Sequence, residues 1–112
     1  MSYPFQTLDW SAIKKEEHKG TSGTSYWQTI QLDGLRIRIV EYSAGYLADH
    51  WCEKGHVVHC LEGSFKSKNA DGSIHVLTAG MSYVVSDKQS SHMSVSDLGA
   101  KLFIIDGEFL NR

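Results

Sequence analysis

The spacing of turn residues constrains this chain more than any other feature. From Tyr26 onward, runs of β-branched, aromatic and aliphatic residues are interrupted by turn signals roughly every 8 to 12 positions, the rhythm of a sandwich or closed barrel. Residues 26–32 and Leu35–Tyr42 flank Asp33-Gly34, a two-residue hairpin signal because both positions take positive φ at low cost. Residues 56–61 and 65–68 continue the pattern, with Gly63 between them as a turn or bulge. Residues 69–73 turn the chain into 74–77, and Ala79-Gly80 leads into 83–85. His92–Ser96 and residues 101–105 complete the series. With one proline and hardly any helical periodicity, the expected fold class is all-β.

The first 25 residues form a weakly patterned arm. Within them, residues 9–17 fit one short helical turn capped by Asp9 or Ser11, with Trp10 and Ile13 against the body, and residues 20–25 read as a loop. A length of 112 residues with 41% hydrophobic content fits one domain spanning 1–112. A net charge of −2 with scattered basic residues gives no footprint for nucleic acid or an anionic membrane. No apolar run approaches the ~20 residues of a membrane span, and residues 1–10 lack the layout of a secretory signal, so a cytoplasmic location is the default expectation. Cys52 and Cys60 on one continuous ribbon would lie roughly 26 Å apart, too far for a disulfide. Two reduced thiols are expected, Cys60 as a small buried residue and Cys52 as a ligand or nucleophile.

The chemistry concentrates in His50-Trp51-Cys52, His56 and His92. Three imidazoles and a thiol suit a late first-row metal rather than calcium or magnesium. If His50 and Cys52 share a strand, a period of two points both side chains to one face, while Trp51 and Asp49 point away. His92 must then arrive from another strand. His18, His59 and His75 are read as surface or hydrogen-bonded residues. If His56, Val58 and Cys60 face inward, His59 points outward.

These residues carry a family resemblance over about residues 35–105. Gly45 precedes His50, Cys52 stands where small cupins place a second histidine, and His56 stands at their glutamate position, with six residues between it and Gly63. A second cupin motif resembles the stretch from Gly80 to His92, with Ser86-Asp87-Lys88 in place of a Pro-x-Gly turn and one extra residue before the histidine. Asp49-His50-Trp51-Cys52 resembles the hallmark of the DHCW-motif cupins. The resemblance implies a conical jelly-roll β-barrel (a double-stranded β-helix), a metal centre in its mouth and a homodimer; it implies no established reaction. His50, Cys52, His56 and His92 are the expected ligands. His56 for glutamate removes a negative charge and Cys52 as thiolate restores one. The resulting set favours zinc, with iron, nickel or copper as other tenants.

Four further residues are candidates for the pocket: Arg38, Tyr42, Cys60 and Tyr83. On Leu35–Tyr42, alternation groups Arg36, Arg38, Val40 and Tyr42 on one face and Leu35, Ile37, Ile39 and Glu41 on the other, and either face can point inward. An inward Arg38 could hold a carboxylate or phosphate; the competing reading is an ion pair with Glu41 or Glu62. Three functions fit the residues. They are a metal-dependent enzyme on a small organic molecule (oxygenase, isomerase or lyase type), a small-molecule binding or sensing module, and a structural zinc protein.

Overall fold

A computed structural model describes residues 2–111. Nine antiparallel strands run in the order β1 (Glu16–Lys19), β2 (Thr24–Leu32), β3 (Leu35–Tyr42), β4 (Tyr46–Leu47), β5 (His56–Asn69), β6 (Ile74–Thr78), β7 (Ser82–Val85), β8 (His92–Ser96) and β9 (Ala100–Gly107). Two 3-10 turns, Trp10–Ala12 and Glu108–Leu110, sit outside them. No helix among the described residues is long and apolar enough to cross a membrane.

The long strand β5 organises the sheet. Its first half pairs with β7 and β9, and its second half pairs with β6 and β8. The register slips between Cys60 and Glu62, and Gly63 follows at φ 73°. A bulge with a left-handed glycine bends the strand, so that one ribbon serves both sides of a curled sheet. A Cβ at position 63 would stand 2.2 Å from the Gly99 carbonyl oxygen, so the bend also needs glycine for space. The expected break at Gly63 is thus a bulge within one 14-residue strand.

Alternation then builds the interior. Val40 of β3, Val58 and Cys60 of β5, and Leu102 and Ile104 of β9 face inward and pack with Phe65 and Leu77 into one buried cluster. Trp27, Tyr42, Tyr83 and Ala100 pack against it. Val40 sits opposite Leu102, and Arg38 opposite Ile104, so the arginine-bearing face of β3 is the interior one.

The Asp33-Gly34 hairpin joins β2 to β3 in the expected register, with Gly34 at φ 68°. The arm holds more structure than expected. Asp9 caps the 3-10 turn by accepting from the Ser11 amide, and Trp10 packs edge-on against Phe103. Glu16 and Glu17, read as the end of a helical turn, belong instead to edge strand β1 on β2. Gln28 explains the arm's attachment: its side-chain amide donates to the Trp10 and Ile13 carbonyls.

Candidate metal centre

Cys52, His56 and His92 converge at one end of the interior, with their ligand atoms all within 4.8 Å of one another. Each arrives by a different route. His56 is the first residue of β5 and His92 the first of β8. Cys52 lies in an irregular segment, where its backbone forms an isolated bridge with His92: the Cys52 amide donates to the His92 carbonyl at 2.8 Å and the His92 amide to the Cys52 carbonyl at 3.0 Å. Such a pair sets two side chains next to each other on one face.

The loop after Cys52 is clamped from the other side. The Gly55 amide donates to the Asp87 carboxylate at 2.6 Å, and the Lys88 amide to the Glu53 carbonyl at 2.8 Å. A Cβ on Gly55 would meet backbone atoms of Val85, Ser86 and Asp87 at 2.6 to 2.7 Å. Ser86-Asp87-Lys88, where Lys88 adopts φ 62°, is therefore the turn that fixes the cysteine segment.

Hydrogen bonds orient both imidazoles. His92 Nδ1 lies 3.1 Å from the Ser90 carbonyl, which can only accept, so Nδ1 carries the proton and Nε2 presents a lone pair. That Nε2 is buried and has no partner. His56 Nδ1 lies 2.9 Å from Oδ2 of Asp106, and its Nε2 lies 3.5 Å from Cys52 Sγ. Burial works against a proton on His56, but acceptors at both ring nitrogens outweigh it and raise its pKa. Burial likewise opposes a charged Cys52, yet the hydrogen bond with His56, with the His92 ring close by, brings the thiol down to about 5.

Asp106 ties the centre to the core and was not anticipated from sequence. It is 1% exposed. Arg36 donates to both its oxygens, at 2.9 and 3.0 Å, and Arg38 donates to Oδ2 at 2.9 Å. Burial penalises its charge, but these donors and His56 hold the carboxylate well below its usual range. The sheet explains the arrangement, since Asp106 faces Arg36 across β3–β9 while Val57, next to His56, pairs with Ile105 across β5–β9. A signal existed in the sequence: alternation from Leu102 and Ile104 puts residue 106 on the same apolar face, where a lone carboxylate demands partners.

A cavity of about 210 Å³ opens in front of the cluster. Arg38, Tyr42 and Tyr83 line it, as do His50, Trp27 and the inward apolar residues of β3 and β9. Burial pushes the Tyr42 hydroxyl up to about 12 and also raises that of Tyr83, so both are neutral donors near pH 7. Arg38 is buried, with its ion pair to Asp106 rather than to Glu41 or Glu62. Cys60 does not line the cavity; it is fully buried in the core, its sulfur against the Glu62 and Gly63 carbonyls. His50 stands apart from the three-residue cluster. No strand runs through His50 and Cys52, so the expected alternation does not operate, and His50 pairs with Asp49 at 2.6 Å with its side chain 73% exposed. His59 points outward to Ser82.

No known family model matches the chain, and no curated protein matches it. Solved structures do. A RmlC-like cupin from Shewanella frigidimarina is similar at TM-score 0.71 and 22% identity, over 96% of this chain and 94% of that one. A predicted oxalate decarboxylase from Thermotoga maritima is similar at TM-score 0.76 and 12% identity, over 91% and 99%. Ectoine synthase from P. lautus is similar at TM-score 0.74 and 17% identity, over 92% and 78%. The fold is therefore the cupin-type jelly-roll β-barrel, and the proteins that share it include enzymes. At these identities the likeness carries the fold and no activity.

Proposed function

We propose that this chain binds a divalent transition metal through Cys52, His56 and His92 and acts as a metal-dependent enzyme on a small organic molecule. The observation that carries the reading is the buried, unpartnered Nε2 of His92, aimed at the same point as Cys52 Sγ and His56 Nε2. A buried acceptor without a partner costs on the order of 1–3 kcal/mol, which a cation recovers. The donor set fits the group: a thiol that ionises readily and two imidazoles whose other nitrogens are already bound to a carboxylate and a carbonyl. One thiolate and two imidazoles favour zinc, with iron, nickel and copper next.

Three protein ligands beside a cavity resemble an open catalytic site more than a closed structural one. The metal supplies Lewis acidity, polarising an oxygen or acidifying a water. Asp106 holds His56 in register, Ser90 fixes the His92 tautomer, and Tyr42 and Tyr83 offer neutral hydroxyls to a bound molecule. Oxygenase, isomerase and lyase chemistry all suit such a pocket, and non-catalytic binding of the same molecule is the second reading. Membership of the DHCW-motif group, a homodimer and a cytoplasmic location belong to the same proposal. Elemental analysis of untagged protein purified without chelators tests the central claim. Near-stoichiometric metal that falls in Cys52→Ala and persists in Cys60→Ala supports it; no metal in the wild type overturns it.

A further inference from the structure

Arg38 sets a buried charge in the wall of this cavity. It is 4% exposed, and its guanidinium lies over the Trp27 ring, 4.6 Å from the centroid. Asp106 engages one terminal nitrogen, yet the Nε–H is buried and makes no hydrogen bond. A buried charged donor left unpaired is costly, and no other group among the described residues takes it up.

The charges around it do not balance either. Arg36 and Arg38 share the single carboxylate of Asp106, leaving one excess positive charge. The Cys52 thiolate does not offset this, since it faces His56 and, in the loaded protein, a divalent cation whose two charges already exceed it. Val40, Val58, Leu102 and Ile104 supply an apolar part of the same lining. The volume, about 210 Å³, lies below the ~300–1,000 Å³ of pockets for drug-sized ligands.

We propose that this cavity takes a small organic monocarboxylate, its carboxylate on the free edge of the Arg38 guanidinium and its body against the apolar wall leading to the Cys52–His56–His92 cluster. The inference names the ligand class of the site proposed above and rests on that site being the functional one. One carboxylate neutralises the excess charge, and its two oxygens match the planar guanidinium fork. A phosphoester, at about −1.5 to −2, exceeds the one excess charge at the guanidinium end of the cavity.

Zinc-loaded protein titrated calorimetrically with propionate, with the uncharged propionamide of the same shape and with inorganic phosphate tests the assignment. Propionate should bind about tenfold or more tightly than propionamide, as expected for a charge-assisted hydrogen bond, and should shift the ¹⁵N-resolved Arg38 Nε–H resonance. Arg38→Met should abolish the preference, compared at full zinc loading. Arg38→Lys, which keeps the charge and loses the fork, should weaken propionate binding as well. Equal affinity for acid and amide, no propionate binding, tighter binding of phosphate, or an unmoved Arg38 resonance overturns the proposal, and the resonance needs no variant to fold. Zinc content measured on the same samples separates the two readings. Zinc without propionate binding refutes the ligand class alone, whereas Arg38-dependent propionate binding to protein that holds no zinc refutes the metal.

Discussion

Replacing Asp106 by Asn is the sharpest test of how this interior is held together. The substitution keeps the shape and removes the charge that serves Arg36, Arg38 and His56 together. An Asn amide cannot satisfy all of them. With its oxygen at the Oδ2 position it still accepts from Arg38 and His56, but its NH2 then faces the Arg36 Nε donor; flipped, it sets a donor against His56 Nδ1 and Arg38. Removing one partner of a buried ion pair costs about 3–5 kcal/mol, because the charge left behind stays out of water. Here Arg38, 4% exposed, is that charge. At roughly 4–8 °C per kcal/mol for a chain of this size, thermal denaturation followed by circular dichroism should fall by on the order of 12–40 °C.

The same carboxylate sets an acid limit. Its folded pKa is depressed, so its contribution is fully present above the unfolded value near ~3.9 and is lost as pH falls from there toward the folded value. Wild-type stability should therefore drop steeply below about pH 4, where Asp106→Asn should show a flatter profile. Zinc affinity, measured by chelator competition, should weaken by about 10- to 100-fold, since His56 loses its orienting carboxylate. An Asn variant that melts within ~1 kcal/mol of wild type and keeps its zinc affinity would refute both the ion-pair reasoning and the coupling of Asp106 to the centre.

Four further outcomes are expected. Cobalt(II) reconstitution should give a thiolate-to-metal charge-transfer band that Cys52→Ala abolishes, and its absence at full occupancy would exclude sulfur coordination. His50→Ala should leave zinc content unchanged, since His50 pairs with Asp49 outside the cluster; clear loss of metal would restore it to the ligand set. Alkylation of Cys52 in chelated protein should follow a pKa of about 5 rather than the ordinary thiol value of ~8.5, and a midpoint above 8 would refute the pairing of Cys52 with His56. Gly55→Ala should lower metal affinity as well as stability, because its Cβ would push the Cys52 loop off the Val85–Asp87 backbone; unchanged affinity would mean that the clamp does not position the cysteine.

Much of the barrel was legible in the sequence because strand period and turn chemistry are local. The Asp33-Gly34 hairpin, the inward set His56, Val58 and Cys60, and the span of β8 all follow from alternation read between turn residues. Cys52 and His92 were read into one ligand set, but the backbone bridge between them was not legible, since it links segments forty residues apart through an irregular stretch. His50 was misplaced by extending alternation where no strand exists. Asp106 escaped because the last strand was ended two residues early, at Ile105. Strand β1 was missed for a different reason: Glu16–Lys19 carries no apolar face and is a strand only because β2 offers it an edge.

The placement of Asp106 shows why core and site cannot be separated in this chain. On β9 it follows Leu102 and Ile104 down the same inward face, so the alternation that packs the core also delivers a carboxylate to the cavity. Its flanking strands supply Arg36 and Arg38 on one side and His56 on the other, and the bulge in β5 lies beyond this contact, leaving the register at His56 undisturbed. One oxygen, Oδ2, thus accepts from both the arginine that faces the cavity and the histidine that faces the cysteine. A change in charge on either side alters the field at the other through that shared atom, more strongly in a low-dielectric interior than it would in water. Metal affinity and anion affinity should accordingly be coupled in the intact protein, each ligand tightening the other, and uncoupled once Asp106 is replaced. Titrating zinc in the presence and absence of propionate, in wild type and in Asp106→Asn, reads that coupling directly; equal zinc affinity in the two wild-type titrations would show that the shared carboxylate transmits nothing.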